Sequence, residues 1–190
     1  MKIDIGCYDS KKDGFIGVDV LHSPKVDIIS CLPSLCFADN SIDEIYSSYM
    51  LEHADNILDC VQEMYRVCKN GAIIRIIVPH GSNIYFWSDP THKQAFSTRS
   101  FEYYDLEHSQ RAGHPVYLPK VNIKTHKVML KWWSERNRID KPLIKRAILN
   151  VFNWLFSGLA NLNHLLCERF WCYWVGGFFQ VEFTLEVIKD

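Results

Sequence analysis

The chain has 190 residues, 48% of them apolar and 23% charged, with a formal net charge of -1. That length suits one domain with a full hydrophobic core, and the composition excludes the low-complexity extremes. The small net charge hides an uneven distribution: residues 1–70 hold six Lys or Arg against twelve Asp or Glu, whereas residues 120–146 hold nine Lys or Arg against Glu135 and Asp140. The basic stretch reads as a solvated strand face and helix end, with an anion-facing surface as the sharper alternative. The seven cysteines form no CxxC pair, so a zinc knuckle or redox motif is not expected. Most of them sit in apolar runs, and no secretory leader is read at the start. The expectation is a reducing, cytoplasmic compartment.

In chain order, Lys2–Gly6 and Phe15–Val20 are short strand candidates around a polar loop. Taken alone they form either a hairpin turning at Asp13-Gly14 or a parallel pair with a crossover too short for a full helix. Val26–Ser30 is a third strand and Ile42–Met50 starts a fourth. Ala54–Lys69 reads as a helix, with Ile57, Val61, Met64, Tyr65 and Cys68 spaced near 3.6 residues and Asn70-Gly71 as its stop. Ala72–Pro79 is a nearly continuous apolar run, as in a strand covered on both faces. Residues 80–116 are loop-rich, polar and full of histidine and aromatic residues, a length of connection that is more often functional than idle. A strand is expected around VNIKTHKVMLKWW, and Phe179–Val187 alternates with period two.

Between those last strands, 136–177 reads as an aromatic helical insertion within a single domain of 1–190. In its first helix Ile144, Ile148, Val151, Phe152, Leu155 and Leu159 share one face, while Lys145, Asn150, Asn153, Ser157 and Asn161 occupy the other. Two readings stand: a lid or flank helix docked on the body, or peripheral membrane contact through 142–162, supported by Lys141, Lys145, Arg146, Trp154 and Trp171. Asparagines interrupt the run before it could span a bilayer.

The phrases IDIGC, FIGVDV, DNSIDEIYSS, LEH and RVCKNG occur in order and at the right spacing. From Lys2 to Ser82 the chain resembles the class I S-adenosylmethionine-dependent methyltransferases, type 11, and more loosely through residues 89–105. The resemblance implies a Rossmann-like α/β fold with a mostly parallel sheet and an antiparallel C-terminal strand, within which the short first loop reads as a shortened first crossover and 136–177 as a helical insertion. It implies S-adenosylmethionine as cofactor, bound beyond the strand ends by Gly6, Cys7 and Tyr8 of the first loop. Asp19 would take the ribose hydroxyls beside Val20, Cys31 and Leu32 would border the adenine, and Tyr49 with Met50 would line the methionine end. The implied reaction is methyl transfer to a small-molecule or saccharide-type acceptor, phosphate-bearing in one version.

His53, His80, His92 and Asp89 are candidate general bases because they follow strand ends or lie in the variable loop, with His53 and His92 preferred; no pair of histidines has a compelling metal-ligand spacing. Nucleic acid is not favoured as the acceptor, and the absence of G-x-G-x-x-G argues against a nicotinamide enzyme. Departures from the family pattern at Tyr8, Cys31, Cys36, Tyr49 and Lys69–Ala72 define the alternative of a degenerate, non-catalytic partner module.

Overall fold

The computed structural model describes residues 1–133, 143–174 and 176–189; the side chains of Leu143 and Ile144, and residues 136–142 with Arg136, Arg138 and Lys141, lie outside the described residues. Seven strands form one sheet in the order β3-β2-β1-β4-β5-β7-β6. They are β1 (Lys2–Ile5), β2 (Ile16–Asp19), β3 (Ile28–Ile29), β4 (Ile42–Ser48), β5 (Cys68–Pro79), β6 (Ile123–Lys131) and β7 (Gln180–Val187). β1 to β5 run parallel, and β7 inserts antiparallel between β5 and β6. The described helices are α1 (Ile57–Val67), α2 (Ile84–Ser88), α3 (Leu106–Ala112) and α4 (Leu143–Leu162), followed by short helical turns from His164 to Trp174.

The opening ambiguity resolves as a parallel pair. Ile3 pairs with Ile16 and Ile5 with Val18 in parallel register, and residues 6–15 cross over as turns without a helix. The connections 20–27 and 30–41 also lack a helix. After a 3-10 turn at Leu51–His53, the first α-helix of the chain is α1. Asn56 caps it, its side-chain oxygen accepting the Leu58 N–H at 3.0 Å. Cys60, Val61, Met64 and Val67 form its buried stripe. The helix ends at Val67, and Gly71, expected to stop it, instead sits inside β5 at φ 75°. The strand takes over early because Cys68 already pairs with Ile42.

The missing helices leave the sheet with two unlike faces. One cross-strand row runs Ile3, Ile45, Ile74, Leu185, and is buried beneath α1 and the aromatic loop carrying Phe96 and Phe101. The Phe101 and Phe183 rings meet edge to face at 4.8 Å. The next row, on the opposite face, runs Asp4, Tyr46, Arg75, Thr184, Lys127. β5 is therefore not covered on both sides as its apolar run predicts. Ile73 and Ile77 are half-buried, and Arg75 is exposed and ion-paired to Glu44 at 2.9 Å. A strand is buried twice only where crossovers put helices on both faces, and here the connections among β1 to β4 supply none.

The insertion docks by its polar side. Asn161 accepts the Leu130 N–H and donates to the Leu130 carbonyl, both at 2.8 Å. Ser157 Oγ and Asn153 Oδ1 accept the N–H groups of Trp132 and Trp133, each at 3.0 Å. Side chains at i, i+4 and i+8 thus pair with the outer edge of β6, as a further strand would.

Candidate functional site

The loop after β1 is held from below by two carboxylates. Asp4 Oδ2 accepts the Lys12 N–H at 2.7 Å. Asp19, at the end of β2, accepts the Tyr8 N–H through Oδ2 and the Leu21 N–H through Oδ1, each at 2.9 Å. Ser23 Oγ donates to the Tyr8 carbonyl at 2.7 Å. Gly6 and Tyr8 both have positive φ, 76° and 37°. A Cβ at Gly6 would lie 2.5 Å from Met50 Cγ, so the glycine is required by packing as well as by its backbone. Cys7 is buried beneath the loop, and burial pushes its thiol up to about 11, so it stays protonated and inert.

Above this loop a cleft of about 390 Å³ opens over the face of the sheet carrying Asp4 and Tyr46, which the connections among β1 to β4 leave without a helix. Asp4, Gly6, Cys7 and Ser10 form one wall, and Tyr46, Ser48 and Tyr49 of β4 and its end form the floor. Lys131, Trp133, Asn153, Gln180 and Glu182 close the far side. Asp4 is 2% exposed, and desolvation by burial raises it to about 6, so it is mainly ionised at neutral pH. Two carboxylates, Asp4 and Glu182, face a cleft of this size, and a cationic sulfonium with a free amino group suits them. These residues fit the methionine end of S-adenosylmethionine.

The expected cofactor residues separate into two groups. Gly6, Cys7 and Tyr49 line the cleft. Asp19 lies under the loop with both oxygens engaged by backbone, and the Tyr8 ring points outward, half exposed. Val20 and Cys31 are exposed, Cys31 lying in an isolated bridge with Ser34, and Leu32 packs partly against the core. None of these five lines the cleft among the described residues.

A second cleft, about 590 Å³, lies beyond the ends of β4 and β5 and shares Tyr49 with the first. The Tyr49 hydroxyl bonds to Gln180 Oε1. His53 and His92, far apart in sequence, meet here with rings edge to face at 4.8 Å. Their hydrogen bonds assign the tautomers. The Thr91 hydroxyl lies 2.6 Å from Asp89 Oδ1 and can only donate to it, so at 2.9 Å from His53 Nδ1 it must accept. His92 Nδ1 lies 2.9 Å from the Phe86 carbonyl and must donate. In the neutral form both rings therefore carry a bare Nε2.

Glu52 lies beside them, 1% exposed, with Oε2 buried and without a hydrogen-bond partner. Burial raises its pKa to about 7, and the Asp89 charge adds to this. Asp89 shifts the other way, held down by the Thr91 hydroxyl and N–H. Two carboxylates driven apart by their surroundings are the pattern of an acid–base site. Glu52, His53 and His92 place one donor atom each within 4.8 Å of one another, a spread wider than the ~3.3 Å edge of a formed tetrahedral zinc site.

His80 stands elsewhere. It is buried, bonded through Nδ1 to Ser82 at 2.7 Å and through Nε2 to Glu168 at 3.0 Å, and it ties β5 to the insertion. Sequence reasoning missed Glu52 and the far wall of the first cleft. Glu52 was visible as the middle residue of LEH, but its burial was not. Glu182 stands in the alternating run of β7, where it reads as an outward-facing polar residue.

Residues 19–76 match the profile of a methyltransferase domain family. No curated protein matches the chain. Among solved structures, the YcgJ protein of Bacillus subtilis is 14% identical with a TM-score of 0.54, covering 100% of this chain and 92% of that one. An S-adenosylmethionine-dependent methyltransferase from Archaeoglobus fulgidus is 18% identical with a TM-score of 0.53, covering 98% and 85%. A Haloferax volcanii complex of the Trm112 methyltransferase activator with a methyltransferase gives 13% identity and a TM-score of 0.54, covering 100% and 82%. At these identities the structures establish the fold, a Rossmann-like α/β sheet of the kind methyltransferases have, and the sequence match to a methyltransferase domain spans residues 19–76, under a third of the chain.

Proposed function

We propose that the chain is an S-adenosylmethionine-dependent methyltransferase, that its acceptor is a small molecule or saccharide seated in the second cleft, and that a hydroxyl of the acceptor is methylated. The observation that carries this reading is the junction at Tyr49: a cleft suited to the methyl donor opens beside a cleft holding bare imidazole nitrogens. Tyr85, Phe86 and Phe179 give the second cleft an apolar wall, and Glu52, Asn83, Ser88 and Asp89 give it polar groups. Flat apolar surface with a few fixed polar groups suits a sugar-like ligand.

S-adenosylmethionine, when bound, supplies an already activated methyl group. The protein's task is alignment and exclusion of water. Tyr49 borders both ligands and sets their distance. His53 takes the acceptor proton at Nε2, while its Nδ1–H is held by Thr91 and, through Thr91, by the Asp89 carboxylate. As the acceptor hydroxyl takes up the methyl group, its proton would pass to the His53 imidazole. His92, stacked on Phe86 at 5.1 Å, positions the ring of His53. The free cysteines, two of them exposed, support a reducing, cytoplasmic location.

Isothermal titration with S-adenosylhomocysteine is expected to give saturable heat below millimolar ligand. Absence of heat would favour the second reading, a non-catalytic module, for which the commitment of both Asp19 oxygens to the loop is the motive. Screening glycans and small alcohols for turnover, His53→Ala is expected to lower kcat by roughly 10²–10⁴. Its S-adenosylhomocysteine affinity should be unchanged; an unchanged kcat removes the base assignment.

A further inference from the structure

α4 is turned inside out. Its Asn153–Ser157–Asn161 stripe faces β6. The opposite stripe of Ile148, Val151, Phe152, Leu155, Leu159 and Leu162 faces outward, each residue between 41% and 81% exposed. Trp154, Phe170, Tyr173 and Trp174 extend this surface, Trp154 being 77% and Trp174 85% exposed. A stripe this long and apolar marks a contact with something apolar outside the fold. No helix among the described residues is long and apolar enough to cross a membrane, so the contact is made along the surface.

The charges choose the occupant. Lys145, Arg146 and Arg169 are exposed. Glu168 is the sole acid from Leu143 to Trp174, and its carboxylate is spent on His80 and Thr98. A second copy docked here would bring the same three cations and no exposed acid from this segment to meet them. An anionic lipid surface meets both the apolar stripe and the cations, and indole and phenol rings favour the headgroup level.

We infer that α4 and the turns after it form an in-plane anchor for anionic membranes, with the helix axis along the surface and the Asn153–Asn161 face holding the enzyme body. The inference stands apart from the choice of acceptor.

The test is flotation of the full chain with vesicles of phosphatidylcholine alone or mixed 7:3 with phosphatidylglycerol. Binding to the anionic vesicles should exceed binding to the neutral ones at least tenfold and fall several-fold in high salt. Val151→Asp with Leu155→Asp, both at exposed positions, should abolish flotation while circular dichroism and S-adenosylhomocysteine titration stay as in the wild type. Lys145→Glu with Arg146→Glu should weaken it several-fold. No flotation by the folded wild type overturns the inference, as does binding indifferent to headgroup charge. A dimer in light scattering that the Val151/Leu155 variant dissociates overturns it in favour of a second copy.

Discussion

The two faces of the sheet are made from the same strands and do opposite work. On one, Ile3, Ile45, Ile74 and Leu185 lie side by side under α1 and are fully out of solvent or nearly so. On the other, Asp4, Tyr46, Arg75, Thr184 and Lys127 occupy the neighbouring register and leave room for a ligand cleft. Burial is thereby concentrated on one side and the open cleft on the other. A helix laid over the second face would bury it, but it would also fill the space over Tyr46 and Ser48.

The sharpest way to break the contrast is to cut each face in turn. Ile74→Ala removes a fully buried side chain from the covered face and should cost about 3 kcal/mol in denaturant unfolding. A loss below ~1 kcal/mol would mean that the face is not the stabilising one.

Asp4 probes the open face at its most buried point. Its folded pKa, about 6, lies above the ordinary carboxylate value near 3.8. Between those two values the folded state holds more protons than the unfolded state, so stability falls as pH rises from about 4 to about 6 and then levels off. The drop should be on the order of 3 kcal/mol, at about 1.4 kcal/mol per unit of pKa. Asp4→Asn should flatten that slope, raise stability at neutral pH by about 1 kcal/mol, and weaken S-adenosylmethionine several-fold more than the uncharged product. An identical slope in wild type and variant would assign the pH dependence to another group.

Arg75→Ala, in the middle of the same face, removes an exposed ion pair with Glu44 and should change stability by no more than ~0.5 kcal/mol. A larger loss would show that the charged row supports the fold after all.

The sequence made most of the strand order legible, because the motif phrases fix the parallel half and the period-two run fixes β7. It also held a clue to the open face that the apolar run concealed: in AIIRIIVP the lone charge, Arg75, falls in phase with Ile73 and Ile77. Hydrophobicity summed along a strand hides such a phase, and only alternation shows it. For α4 the two stripes were legible but their direction was not. Periodicity reports that a helix has two sides without reporting which side has a partner, and here the partner is the unpaired backbone edge of β6, which apolar side chains could not satisfy. His53 was legible as a histidine after a strand end and His92 as one in the variable loop, but their meeting depends on the course of the 80–92 loop. The engagement of Asp19 by two N–H groups depends on the loop's left-handed residues, and no spacing announces it.

Tyr49 is a wall of both clefts, so under the proposed placement of donor and acceptor the two ligands are thermodynamically coupled. Whatever shift of the ring one ligand favours, the other must accept or resist. By linkage the factor by which the product of the donor alters acceptor affinity equals the factor by which acceptor alters affinity for that product. The hydroxyl contact with Gln180 adds β7 to the same coupling, so the antiparallel strand between β5 and β6 would have a say in how the two proposed ligands sense each other.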